Sequence, residues 1–210
     1  MTAGQTAPKR MSREDRHAAL LDAAADLLRS AREPLTFEAI ADRAGVSATL
    51  PYKYFDSVDE VANELYQRIV VTVDDATDEL LATTDRSFDD KVRGALELWC
   101  DVLRTEGVLL WRLSDDAAHP SLRHAIDTRR ERAVVVWAEA LQRELDLADD
   151  DARLLAASIT AGSTAALRRW IVDRLDRHDM IERFVVLARA QIEAMLSLGG
   201  SATPPSRRSD

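Results

Sequence analysis

Residues 36–55 read T-F-E-A-I-A-D-R-A-G-V-S-A-T-L-P-Y-K-Y-F, two short helical patterns parted by one glycine. Thr36 follows Pro34 and Leu35 and can cap a helix on which Phe37, Ile40 and Ala41 share a face. Gly45 comes four residues after Ala41. A small residue at the first of these positions lets a second helix cross closely, and glycine at the second supplies the left-handed backbone that ends the first helix. Ser47 is a natural cap for that second helix. Pro51 falls in its first turn or just past it, where a missing N–H costs little, so the helix is expected to survive. The spacing predicts a helix-turn-helix whose second helix carries Ala48, Thr49, Tyr52 and Lys53 outward, as a reading helix in a major groove does.

The stretch continues as V-S-x-x-x-x-Y-x-Y-F and then S-V-D-E-V. With that continuation, residues 12–65 resemble the DNA-binding domain of the TetR family of bacterial transcriptional regulators. The resemblance implies an all-α protein: an N-terminal three-helix domain with the helix-turn-helix, then a helical bundle that binds a ligand and dimerises. It implies base-edge contacts from Ala48, Thr49, Tyr52 and Lys53, and phosphate contacts from Thr36, Tyr54 and Ser47. Phe55 is expected to pack the small domain instead. Three positions depart from the family pattern. Leu50 stands where a phosphate-binding Thr is frequent, Pro51 replaces an apolar Leu or Ile, and Val58 replaces a common phosphate-binding Lys.

Composition agrees with a helical protein. The 210 residues are 46% apolar and 31% charged with only seven Gly, and the single Cys excludes a disulfide within the chain. The net charge of −9 is unevenly spread. Residues 1–55 hold eight Lys/Arg against seven Asp/Glu, leaving 20 against 30 for the rest. Lys9, Arg10, Arg13 and Arg16 fall early enough for an arm that reaches phosphates or a minor groove, or that only solubilises the terminus. The apolar runs are far shorter than the ~20 residues of a membrane span, and the chain is expected to be cytoplasmic.

Helical periodicity predicts the remaining elements. Ser12 and Asp15 open a first helix with the stripe Leu20, Ala23, Ala24, Leu27, Leu28. Ser57 and Glu60 open a long connector through Val73, and Ser87 and Asp90 open a helix through Leu103 that Gly107 is expected to break. Further helices are expected over 121–145, 150–175 and 179–197, the last opened by Asp179 and Glu182. The organisation reads as a flexible arm (1–11), a DNA-binding domain (12–56), a ligand-binding and dimerisation domain (57–198) and a disordered tail (199–210).

Small residues crowd 156–167, including Ile159, Gly162 and Ala166, and the final helix offers the stripe Ile181, Val185, Ala188, Ile192, Met195. In the family the corresponding helices form a four-helix interface across a two-fold axis, so these residues are expected at a homodimer seam; an ordinary intrachain core is the alternative. Trp99, Leu103, Trp111, Trp137 and Trp170 are expected to converge in the body as apolar walls for a small-molecule effector, with Cys100 or Arg112 orienting it. Asp115, Asp116, His119 and His124 match no compact metal-ligand set, and no catalytic triad, phosphate-cradling loop or H-E-x-x-H is present in the sequence. The reading is a non-enzymatic regulator without metal or cofactor, a homodimer on a palindromic double-stranded DNA operator, released by an effector and with no membrane partner. The alternative is a helical ligand-sensing or protein-binding module with weak or lost DNA binding.

Overall fold

The computed structural model describes residues 11–30, 34–115 and 120–199. The arm with Lys9 and Arg10, the tail beyond Gly199, and Asp116 and His119 lie outside them. The described residues form seven α-helices and one 3-10 turn, without a strand. In chain order the helices are α1 (Arg13–Ser30), α2 (Phe37–Ala44), α3 (Val58–Ala82), α4 (Phe88–Asp115), α5 (Pro120–Leu145), α6 (Asp149–Asp173) and α7 (Arg177–Gly199).

Side-chain caps set most helix starts. At α1 the Asp15 N–H donates to Ser12 Oγ (2.9 Å) while the Ser12 N–H donates back to Asp15 Oδ2 (3.1 Å), a reciprocal box. At α3 the Glu60 N–H donates to Ser57 Oγ (3.1 Å), and Glu60 accepts from the Asp56 N–H (2.6 Å). At α4 the Asp90 N–H donates to Ser87 Oγ (3.2 Å). The expected start of α7 is corrected. Asp176 caps it, accepting from the Asp179 N–H (2.9 Å), and Glu182 instead takes Arg93 Nε–H (2.7 Å). Gly107 does not break α4 either. One glycine costs a helix only ~1 kcal/mol, and Leu109, Leu110 and Leu113 beyond it are all buried, which outweighs that cost at ~1.5–3 kcal/mol per side chain.

The chain divides into two compact units, the first within Met1–Arg68 and Gly107–Arg123 and the second within Ile69–Glu106 and His124–Asp210. This differs from a boundary at residues 56 and 57. A head of some 45 residues buries too little apolar surface to stand alone, and the first unit gains Val61, Ala62, Leu65, Leu109, Leu110, Leu113 and Leu122, all buried. Within it Arg112 Nε–H donates to the Leu28 carbonyl (3.3 Å), and the Ser121 N–H donates to Asp59 Oδ2 (3.1 Å).

The second unit is built on a core of Leu81, Phe88, Val92, Leu96, Trp137, Leu141, Leu155, Ile159, Phe184 and Val185 with their neighbours. The seam expected between two copies lies inside it. Ile159, Ile181, Val185, Ala188 and Ile192 are buried in this core, with Ala166 and Met195 packed against it. At Gly162 an added Cβ would stand 3.1 Å from the Phe184 ring, so the small residues of α6 admit α7 of the same chain. An apolar stripe of helical period marks a covered face without saying which chain covers it. The opposite sides of α6 and α7 carry Leu154, Val186, Leu187 and Leu198, all exposed, and a cleft of about 260 Å³ runs between Leu154, Ser158, Gln191, Ala194 and Leu198.

Lys91 is the buried charged side chain among the described residues, at 1% exposure. Its ammonium donates to the Leu81 carbonyl (3.3 Å) and the Thr83 carbonyl (2.6 Å) and pairs with Glu144. Arg143 also donates to the Leu81 carbonyl (3.1 Å). The last carbonyls of a helix lack intrahelical donors and carry partial negative charge, so two cations here complete the end of α3. Lys91→Met is expected to destabilise the protein by about 3 kcal/mol, since it removes the cation facing Glu144 and strands the Thr83 carbonyl, while Arg143 still serves Leu81. Chemical denaturation checks this, with Glu144→Gln expected to cost less because an amide oxygen still accepts.

Candidate nucleic-acid interface

The reading segment is positioned by the end of α2. Thr36 has extended backbone (φ −136°, ψ 153°), and its Oγ1 accepts from the Ala39 N–H (3.1 Å), as a cap should. At the other end Gly45 is left-handed (φ 67°, ψ 35°). The Val46 N–H then reaches the Ala41 carbonyl (3.0 Å) and the Gly45 N–H the Asp42 carbonyl (3.2 Å), the paired bonds of a Schellman ending. A Cβ built on Gly45 would meet nothing within 4 Å, so the backbone angle and not crowding demands glycine. Ala41 is fully buried beneath this turn, as a close crossing requires.

Beyond the turn the structure corrects the expected second helix. Residues 47–54 form a run of tight turns around a 3-10 segment, Pro51–Lys53. The Leu50 N–H donates to Ser47 O (2.9 Å), the Lys53 N–H to Leu50 O (3.0 Å) and the Tyr54 N–H to Pro51 O (2.9 Å), all three residues back. An α-helix starting at Ser47 would need the residue 51 N–H on the Ser47 carbonyl, and proline has none. The Leu50 N–H takes that carbonyl instead. Ser47 Oγ lies 3.4 Å from Thr49 Oγ1.

The shortened element still presents its side chains. Thr36, Ser47, Ala48, Thr49, Tyr52 and Lys53 are exposed, and Tyr54 is half-buried. Tyr52 is 68% exposed, yet its ring sits edge-on to Phe37 of α2 (4.6 Å between centroids), which fixes it beside the Thr36 cap. Phe55 is buried, with the His17 ring 4.9 Å away. Two residues outside the motif join the site from α1. The Arg13 guanidinium lies 5.9 Å from the Tyr54 ring centre, and His17, paired with Glu64 at 3.0 Å, approaches the same ring at 6.3 Å. Only the fold could bring them here; Arg13 carried a sequence signal only as part of the early run of basic residues, and His17 carried none.

No family model matches the chain. An HTH-type transcriptional activator, FasR of Mycolicibacterium smegmatis, is 26% identical over 190 residues, covering 88% of this chain and 86% of that protein. A TetR-like transcriptional regulator from Rhodococcus sp. RHA1 is similar in structure with a TM-score of 0.70 at 20% identity, over 88% of this chain and 99% of the other. A TetR-family regulator from Streptomyces coelicolor gives 0.67 at 19% identity, over 93% of each chain. The chain has the TetR-like fold.

Within this TetR-like fold the residues expected to line one effector pocket are parted. Trp111 and Arg112 belong to the first unit, and Arg112 is spent on the Leu28 carbonyl. Gly107 leaves α4 unbroken, so Trp99 and Trp111 share one helix, twelve residues or ~18 Å apart along its axis at the standard rise. Trp99, Cys100, Leu103, Trp137 and Trp170 do belong to the core of the second unit. Trp137 is edge-on to Phe88 (5.7 Å), and Trp99 lies under the Arg129 guanidinium (4.6 Å), which also forks onto Asp74. Burial pushes the Cys100 thiol up to about 11, so it stays a neutral thiol near pH 7. None of the described residues form a cluster of three or more acidic, His or Cys side chains suited to a metal ion, and no described helix is long and apolar enough to cross a membrane.

Gly45→Ala is expected to cost about 1–2 kcal/mol, the penalty of a left-handed backbone with a Cβ. Gly45→Asn should cost less, because Asn tolerates that conformation. Denaturation followed by far-UV circular dichroism checks both.

Proposed function

We propose that this chain is a ligand-responsive, DNA-binding transcriptional regulator that acts as a homodimer on a palindromic operator. The observation that carries the reading is the surface formed by Thr36 and Ser47–Tyr54, held by the capped ends of α2 and by Phe37. In it Lys53, Tyr52, Thr49 and Ala48 read base edges, while Thr36, Ser47 and Tyr54 hold phosphates. One short reading element contacts too few base pairs for tight specific binding, so two copies on a two-fold site are required. The faces offered for pairing are the outer sides of α6 and α7, with Leu154, Leu187 and Leu198 exposed.

The effector is a small, largely apolar or aromatic molecule bound in the second unit beside Trp99 and the apolar residues packed with it. Its differential affinity for two states of that unit shifts their populations. α3 carries the shift to the reading unit, since it runs through both. Repression follows where the operator overlaps a promoter; the relative from Mycolicibacterium smegmatis is named an activator, and operator position decides the sign. A second reading, a sensing module without DNA affinity, is favoured by Val58, Leu50 and the 3-10 turn in place of a full reading helix.

Gel-shift on the DNA upstream of its own gene separates the two readings: specific retardation is expected, and none at low salt would sink the regulator. Lys53→Ala should then cost about 1–3 kcal/mol and relax one operator position per half-site. Leu187→Glu should yield monomer in sedimentation, because it places a charge in the proposed seam, and an unchanged dimer would exclude that face.

A further inference from the structure

Seven described cations of the first unit sort into two groups. Arg29 and Arg43 pair with Asp26, Arg68 pairs with Asp22 at 2.8 Å, and Arg112 is bonded to the Leu28 carbonyl. Among the described residues Arg13, Arg16 and Lys53 have no carboxylate within ion-pair distance. Of these three, Arg13 is exposed and is the one whose guanidinium reaches the Tyr54 ring.

Two features make that placement costly to explain as helix chemistry. Arg13 is the first residue of α1, the end where the helix dipole disfavours a cation. Of the two acids in this first turn, Glu14 makes no ion pair with Arg13, and Asp15 is already committed to Ser12, whose hydrogen bonds hold its carboxyl below the usual range. A cation–π contact at 5.9 Å on a half-buried ring lies at the edge of the useful range and is weak, so it places the guanidinium without consuming its donors. His17, held by Glu64, lies beside both the Tyr54 ring (6.3 Å) and the Phe55 ring (4.9 Å).

We infer that Arg13 is a DNA phosphate contact, forming with Tyr54 a two-residue clamp that supplies the backbone anchor absent at Val58. The inference rests on the proposed regulator reading. A planar guanidinium with five donors suits a phosphate, and the tyrosine hydroxyl beside it adds one more. Such a contact raises affinity for every sequence alike and carries no base preference.

The test measures binding of the full-length protein to a short duplex of arbitrary sequence across a salt series, and to the DNA upstream of its own gene. Each phosphate contact contributes about 0.9 to the slope of log K against log salt. Arg13→Gln is expected to weaken binding to both duplexes and reduce the slope by about 0.9 per protomer, with operator preference unchanged. Arg13→Lys should restore most of the slope, and Arg68→Gln, an equal charge loss at an already paired arginine, should leave it intact. A wild-type slope in Arg13→Gln, or an equal reduction in Arg68→Gln, overturns the clamp while leaving the regulator reading standing. A wild-type protein that binds no duplex at low salt overturns that reading and the clamp with it.

Discussion

Left-handed backbone at Gly45 directs everything that the first unit presents. The turn closes α2 through two hydrogen bonds, from Val46 to Ala41 and from Gly45 to Asp42, and the chain must then leave in one direction. That direction delivers Ser47, Ala48, Thr49, Tyr52 and Lys53 to the surface and Pro51 and Phe55 to the interior. Any residue with a Cβ at position 45 strains this angle although open space surrounds it. The constraint is conformational, so no packing change elsewhere relieves it.

The second unit depends on a different kind of constraint, the completion of helix ends inside a core. α3 stops at Ala82, where its carbonyls would face apolar surroundings without donors. Lys91 and Arg143 supply them, and Glu144 balances the charge. Two bridges from α5, Arg129 to Asp74 and Arg132 to Asp78, tie the same stretch of α3. The body half of α3 is therefore tied to α4 and α5 at several points, which suits a helix proposed to carry a signal.

Much of the fold was legible because it is written in local chemistry. The boxes at Ser12, Ser57 and Ser87, the cap at Thr36 and the turn at Gly45 need only residues within four positions of each other. Errors arose where local rules are nearly balanced. Pro51 is tolerable in a first helical turn, yet its missing N–H falls on the bond that a helix from Ser47 needs, and the outcome is a 3-10 turn. Gly107 is a mild breaker overruled by the burial of Leu109, Leu110 and Leu113.

Pattern and composition settled that the chain is helical and where α2 begins and ends, since each follows from period, cap or backbone angle. Tertiary structure alone decided which partners those elements meet. The stripe Ile181–Ile192 is apolar on either account, and only the packed chain shows that α6 and its own core cover it. Likewise four tryptophans are buried-residue candidates in any reading, but continuity of α4 parts Trp111 from Trp99, and the approach of α1 brings Arg13 to Tyr54 across forty residues of sequence. Periodicity reports that a face is covered or free; identity of the neighbour is a long-range property, set by the sum of many weak contacts that no local window contains.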